Sequence, residues 1–253
     1  MILAAAAVVL FGIDATDAKR PYIEPIAVVE RHGERLQFSE PDSHDQKRFE
    51  REYFGGRRYD VFSSGEAMGT AFAQSRVKLS CESLAAGVKL SNRLPYNLGL
   101  ATSGPLIAQH RDTTREVTPD EQAAMEELLR DKVHISDMRD VSIVAVDFDH
   151  DGRPEFVASG DVKAGRTEHQ FLVIATEHRG GRMHPEYVYD HRKDPEDDGG
   201  QGRLELFDQA DIDNDGVDEI VARLHSYEGW SWRILKRAAG TWKVVYTGGG
   251  GGC

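Results

Sequence analysis

DFDHDGRPEFVA (Asp147–Ala158) and DIDNDGVDEIVA (Asp211–Ala222) carry one pattern twice, 64 residues apart. Acidic residues coincide at the first, third, fifth and ninth places: Asp147 and Asp211, Asp149 and Asp213, Asp151 and Asp215, Glu155 and Glu219. Glycine stands sixth in both, Gly152 and Gly216. This is the spacing of a calcium loop, in which alternate carboxylates converge on one ion. The backbone carbonyls of Arg153 and Val217 at the seventh place and the ninth-place carboxylates would complete about six or seven oxygens with water. The glycine is expected where the chain turns sharply with positive φ, a conformation costly for a residue bearing Cβ. Two carboxylates about 5 Å apart repel by roughly 3 kcal/mol at an effective dielectric near 20, so gathering four of them calls for a cation. Two bound Ca²⁺ ions are the expected cofactors. The loops are EF-hand-like only, because Ala158 and Ala222 stand twelfth, where an EF-hand needs a bidentate Glu.

The flanks read as strands. VSIVAV (141–146) precedes the first loop, and EFVAS, QFLVIAT (170–176) and EYVYD (186–190) follow it. RLELF (203–207), EIVARL (219–224), SWRIL (231–235) and TWKVVY (241–246) repeat the order around the second loop. Alternating apolar residues bounded by turn signals give period two, the signature of half-buried strands. A D-x-D-x-D-G-x-x-[DE] loop joining strands at sixty-odd-residue intervals resembles the FG-GAP and VCBS-type calcium-loop repeats of secreted proteins. That resemblance implies propeller blades over Val141–Tyr246. The expected fold is therefore mainly β, propeller-like or a β-sandwich, with two calcium loops. Residues 19–140 form a β-rich N-terminal region, with room for two degenerate blades, and 141–253 hold the two repeats.

One helix is expected within that region. Thr118 as N-cap, Pro119 in the first turn and Glu121 three residues after the cap form a capping box, and Ala124, Met125, Leu128 and Leu129 make one apolar stripe over 118–132. At the other end, ILAAAAVVLFGI (2–13) is too short to span a membrane as a helix. With small residues at Thr16 and Ala18, it reads as a signal peptide over 1–18, and the alternative is an apolar buried strand. The export reading places the chain in the periplasm or outside the cell. There the only two cysteines, Cys81 and Cys253, are expected to form a disulfide closing a long loop.

The charge of −12 argues against phosphate backbones as partners, and nine of the 43 acidic residues lie in the two loops. Arg31, His32, Gly33 and Arg35 match the R-H-G-x-R core of the histidine phosphatases, a resemblance that implies a phosphorylated His32. The second His with an acidic partner and the alternating helices of that fold have no counterpart in the chain. No local zinc spacing occurs among the ten histidines. The reading is thus non-enzymatic: a calcium-binding protein with a protein or glycan partner and no nucleic acid. Tyr227, Trp230 and Trp232 supply either strand core or a binding face. The layout also resembles that of xanthomonad periplasmic immunity proteins, which inhibit peptidoglycan hydrolases. Lysozyme inhibitors of this general kind offer a Ser-Gly loop, for which Ser64-Gly65 is the nearest match.

Overall fold

The computed structural model describes residues 7–33, 35–41, 45–77, 82–193 and 201–252. Cys81 and Cys253, and with them the expected disulfide, lie outside these residues. The fold is mainly β with several sheets.

The N-terminal region is one sheet closed on itself. Strands β1 (Val8–Asp14), β2 (Tyr22–His32), β3 (Arg35–Ser39), β4 (Arg58–Ser63), β5 (Glu66–Arg76), β7 (Ala86–Leu90) and β8 (Leu98–Thr102) run in the order β1-β8-β4-β5-β7-β2-β3. The sheet closes into a barrel because β1 also pairs antiparallel with β2, Val8 opposite Val29 through Asp14 opposite Tyr22. Residues 19–140 therefore do not form two further blades.

Within the described residues, Val8–Ile13 of the apolar run lies in this barrel's β1. Val9, Phe11 and Ile13 point into the barrel, while Leu10 packs outward with Ile212, Val221 and Trp232 of the second repeat. A strand covered on both faces is apolar at every position, so it shows no alternation. Gly12 is needed there, since a Cβ would fall 2.9 Å from the Trp232 ring. Asp14 belongs to the same packing: it accepts from Thr16, and its Oδ2 lies 3.2 Å from the Arg223 guanidinium. A helix not expected from the sequence, α1 (Gln46–Tyr53), is capped by Asp45 and contributes Phe49 to the barrel interior.

Each repeat forms one antiparallel meander, and all eight expected strands are present. In the first, β10 (Val141–Val146), β11 (Glu155–Ala164), β12 (Thr167–His178) and β13 (Arg182–Lys193) pair in sequence. In the second, β14 (Gln201–Ala210), β15 (Glu219–Ser226), β16 (Gly229–Ala238) and β17 (Thr241–Gly252) do the same. Two short strands from the first half extend them: β9 (Arg115–Glu116) beside β10, and β6 (Glu82–Ser83) beside β17. The helix α2 (Pro119–Lys132) has the complete capping box at Thr118 and Glu121, and it buries Met125, Leu128 and Leu129.

Three shared cores set the layering, beside the barrel's own interior. Barrel and second repeat meet through Leu10, Ile26, Phe207 and Trp232; the two repeats meet through Phe148, Leu172, Ile220 and Trp242. The free face of the first repeat is covered by α2 through Met125, Leu129, Phe156 and Phe171. No helix among the described residues is long and apolar enough to cross a membrane.

Candidate metal centre

The two acidic loops are the β10–β11 and β14–β15 connections. They close over the pairs Val146 opposite Glu155 and Ala210 opposite Glu219. Their internal wiring is the same. The first-place carboxylate accepts two loop amides: Asp147 from Asp151 and Gly152 at 3.1 and 2.9 Å, Asp211 from Asp215 and Gly216 at 3.1 Å each. The fifth-place Asp151 and Asp215 accept from the seventh-place amides of Arg153 and Val217. The ninth-place glutamate reaches back to the second place, Glu155 accepting from Phe148 and Glu219 from Ile212. The sixth-place glycines have φ of +87° in both loops, and the fourth-place His150 and Asn214 are also left-handed. That double turn folds the acids inward, and αL at a non-glycine residue is most tolerable for types such as Asn and His.

Three carboxylates of each loop converge: Asp147, Asp149 and Glu155 in the first, Asp211, Asp213 and Glu219 in the second, each set within 4.8 Å. Asp151 and Asp215 are outside these sets. The second site is the more enclosed, with Asp211 and Glu219 both buried. Burial pushes the Glu155 carboxyl up to about 7, against the Phe148 amide and Arg237, which favour its charged form. Burial and then the charge of Asp213 push Glu219 up to about 8.

Each loop also meets one basic side chain of β16. Lys236 Nζ donates to Asp213, to Asp215 at 2.6 Å and to Glu219 at 3.1 Å. Burial works against its charge, but the hydrogen bonds to Asp213 and Asp215 and the field of Glu219 more than offset this. Arg237 reaches the first loop, donating to Asp149 at 2.6 Å and Glu155 at 2.9 Å and to Glu186 at 2.7 Å. Adjacent strand residues point to opposite faces, so β16 serves both loops. Arg237 meets two carboxylates of the first loop and Lys236 three of the second, while each loop carries at least four. This residual negative charge suits a divalent cation.

Neither basic residue is visible as a loop partner in the local sequence. In the first repeat the residue paired with Glu155 is Thr176, so that loop borrows its cation from the other repeat.

The remaining candidate residues separate. His32 is 60% exposed at the β2 end and lies 3.3 Å from Glu30. Arg31 donates to the carbonyls of Asp213 and Ile212, which makes it a brace for the second loop. His32, Arg35, Asp213, Glu219 and Lys236 line a common groove of about 730 Å³. The Ser64-Gly65 turn is buried, contrary to an offered inhibitory loop; Ser64 donates its amide to Asp208. Trp232 is fully buried against Phe207 and beneath Arg223, and Trp230 donates Nε1 to Glu24 at 3.0 Å. Neither tryptophan offers a free face as a pair. Tyr227 at the β15–β16 turn is 84% exposed.

Comparison with protein-family models, curated proteins and solved structures gives no match to this chain.

Proposed function

We propose that this chain is a calcium-binding, non-enzymatic β protein in which two ions fix the loops between the sheets. The observation that carries this reading is the duplicated wiring. Two loops 64 residues apart align first-, third- and ninth-place carboxylates with the same amide bonds and the same pair of left-handed residues. Oxygen-only donors around a flexible loop select a hard divalent cation of calcium type. In the second loop Ca²⁺ takes the place of the Lys236 ammonium, and the lysine swings outward. Two meanders that each hold one such loop and share a core support the kinship with FG-GAP and VCBS-type blades. Thermal unfolding with millimolar Ca²⁺ against chelator tests the reading. Calcium raises the melting temperature of the parent and not of the Asp147→Ala, Asp211→Ala double variant; coincident parental curves overturn it.

Arg31, bound to loop carbonyls, and His32, in solvent, weigh against phosphoryl transfer. A second reading, a binding protein for a macromolecule such as a secreted peptidoglycan hydrolase, is favoured by the exposed Tyr227. Its test is near-stoichiometric inhibition of a lysozyme-type hydrolase that weakens on Tyr227→Ala; undiminished lysis at excess protein rejects it.

A further inference from the structure

A third cluster lies between the two loops and differs from them in chemistry. It consists of His110, His150 and Asp218, whose ligand atoms lie within 4.8 Å of one another. His150 is the fourth residue of the first loop and Asp218 the eighth of the second. His110 comes from the connector between β8 and β9.

That connector is sewn to both loops. Ala108 donates its amide to the Asp211 carbonyl at 2.9 Å, and the Asn214 side chain donates to the Leu106 carbonyl at 2.9 Å. The Thr113 hydroxyl meets the backbone of Asp147 at 3.2 Å. The loops are joined directly as well, by the Asp218 amide donating to the Phe148 carbonyl at 2.8 Å. All three side chains thus stand on segments whose backbones are fixed relative to one another.

The donor atoms lie close together, within 4.8 Å of one another. The Asp218 side chain is fully buried, and neither of its oxygens accepts a well-formed hydrogen bond among the described residues. Its Oδ1 lies 2.7 Å from His110 Nε2 and 3.6 Å from His150 Nε2. Ligands about 2.0–2.1 Å from a tetrahedral ion are separated by about 3.3 Å, and the two distances bracket that edge. His110 Nδ1 donates to the Arg111 carbonyl at 3.0 Å, so Nε2 is the nitrogen free to bind an ion beside the carboxylate, in place of the proton that Asp218 otherwise favours there. Fixing a histidine through its other nitrogen is the usual second-shell arrangement at metal sites. Room for the ring depends on Gly65, at φ +72°, where a Cβ would fall 1.9 Å from His110 Nε2.

We infer that His110, His150 and Asp218 form a site for a transition metal ion of zinc type, separate from the two acidic loops and locking them together. Two imidazoles and one carboxylate suit Zn²⁺ or Co²⁺ rather than Ca²⁺, and three protein ligands leave a fourth position for water. The inference does not depend on calcium occupying the loops.

The test is titration of the full chain with Zn²⁺ by calorimetry and with Co²⁺ by visible absorption, each with and without excess Ca²⁺. One Zn²⁺ per chain and the absorption of tetrahedral Co²⁺ are expected in both conditions. His150→Asn keeps a residue type that tolerates the left-handed backbone at this position, alters a side chain that is 28% exposed, and is expected to leave the melting curve intact. It, and His110→Gln, should weaken Zn²⁺ binding beyond the about 10–100-fold that loss of an outer-shell partner costs. The exposed, stacked pair His178 and His184 is the control, and Gln at both should change nothing. Absence of Zn²⁺ binding, binding indifferent to His110 and His150, or loss in the control variant overturns the proposal. Failure of Ca²⁺ to bind, with Zn²⁺ still held, would overturn only the calcium reading.

Discussion

Replacing Lys236 with Met removes the ammonium that donates to Asp213, Asp215 and Glu219, and its effect should reverse sign with calcium. Lys236 is the shared donor to all three carboxylates. Removing one partner of a buried ion pair costs about 3–5 kcal/mol, because the charges left behind stay desolvated. The Lys236 side chain is 28% exposed, and Asp215 faces water more than its neighbours, so screening brings the figure to roughly 2–3 kcal/mol. In chelator, at about 2–4 °C per kcal/mol for a chain of this size, the variant should melt roughly 4–12 °C lower. With calcium, the ion no longer has to displace an ammonium. The same free energy then appears as affinity: at about 1.4 kcal/mol per decade, one of the two binding steps tightens roughly 30–140-fold. Differential scanning fluorimetry in chelator and calorimetric Ca²⁺ titration measure both halves. A variant that melts like the parent without calcium and binds Ca²⁺ with unchanged affinity would refute the argument that Lys236 occupies the cation position.

Three further outcomes follow from the buried charges and from β1. Arg223 lies between Asp14 and Glu24, at 3.2 and 3.0 Å, over the Phe207 and Trp232 rings; Arg223→Met should cost about 3–5 kcal/mol in urea unfolding, and Glu24→Gln in the same chain should recover part of it. Asp208 is buried, and burial pushes its carboxyl up to about 8 against the amides of Ser64 and Gln209. The folded chain therefore holds a proton that the unfolded chain releases near pH 3.8. The Asp208 contribution should be full below about pH 4, fall by an order of several kcal/mol as pH rises to 8, and level off above; urea unfolding of Asp208→Asn should show a shallower slope over that window and higher stability at pH 8. Deleting residues 1–18 takes β1 out of the closed sheet, so circular dichroism should show no cooperative melt; a cooperative melt would contradict the placement of β1.

What the sequence discloses depends on whether a structural cause is local. The acidic loops are legible because their wiring closes within nine residues, and α2 because Thr118 and Glu121 cap each other three residues apart. The eight repeat strands are legible because their hairpins follow one another and their polar and apolar faces alternate. The short strands β6 and β9 escape, since two residues each have no period and their partners lie far along the chain. The long-range cations escape for a similar reason: Arg237 is 88 residues from Asp149, and nothing near either announces the pair.

The apolar run at the start shows the same limit from the opposite direction. Export signals and doubly buried strands both demand an unbroken apolar stretch, one to enter a membrane and the other to meet two cores, so composition cannot separate them. The described part of the run has its packing partners elsewhere in the sequence. Leu10 faces Trp232, Gly12 admits that ring, and Asp14 meets Arg223, so the run is specified by residues more than 200 positions away. A run with tertiary partners must fit a shape, and a bare apolar segment need not. Gly12 makes the difference measurable: overpacking a dense core costs about 1–3 kcal/mol, so Gly12→Val should destabilise the fold although it leaves the run's apolar character intact.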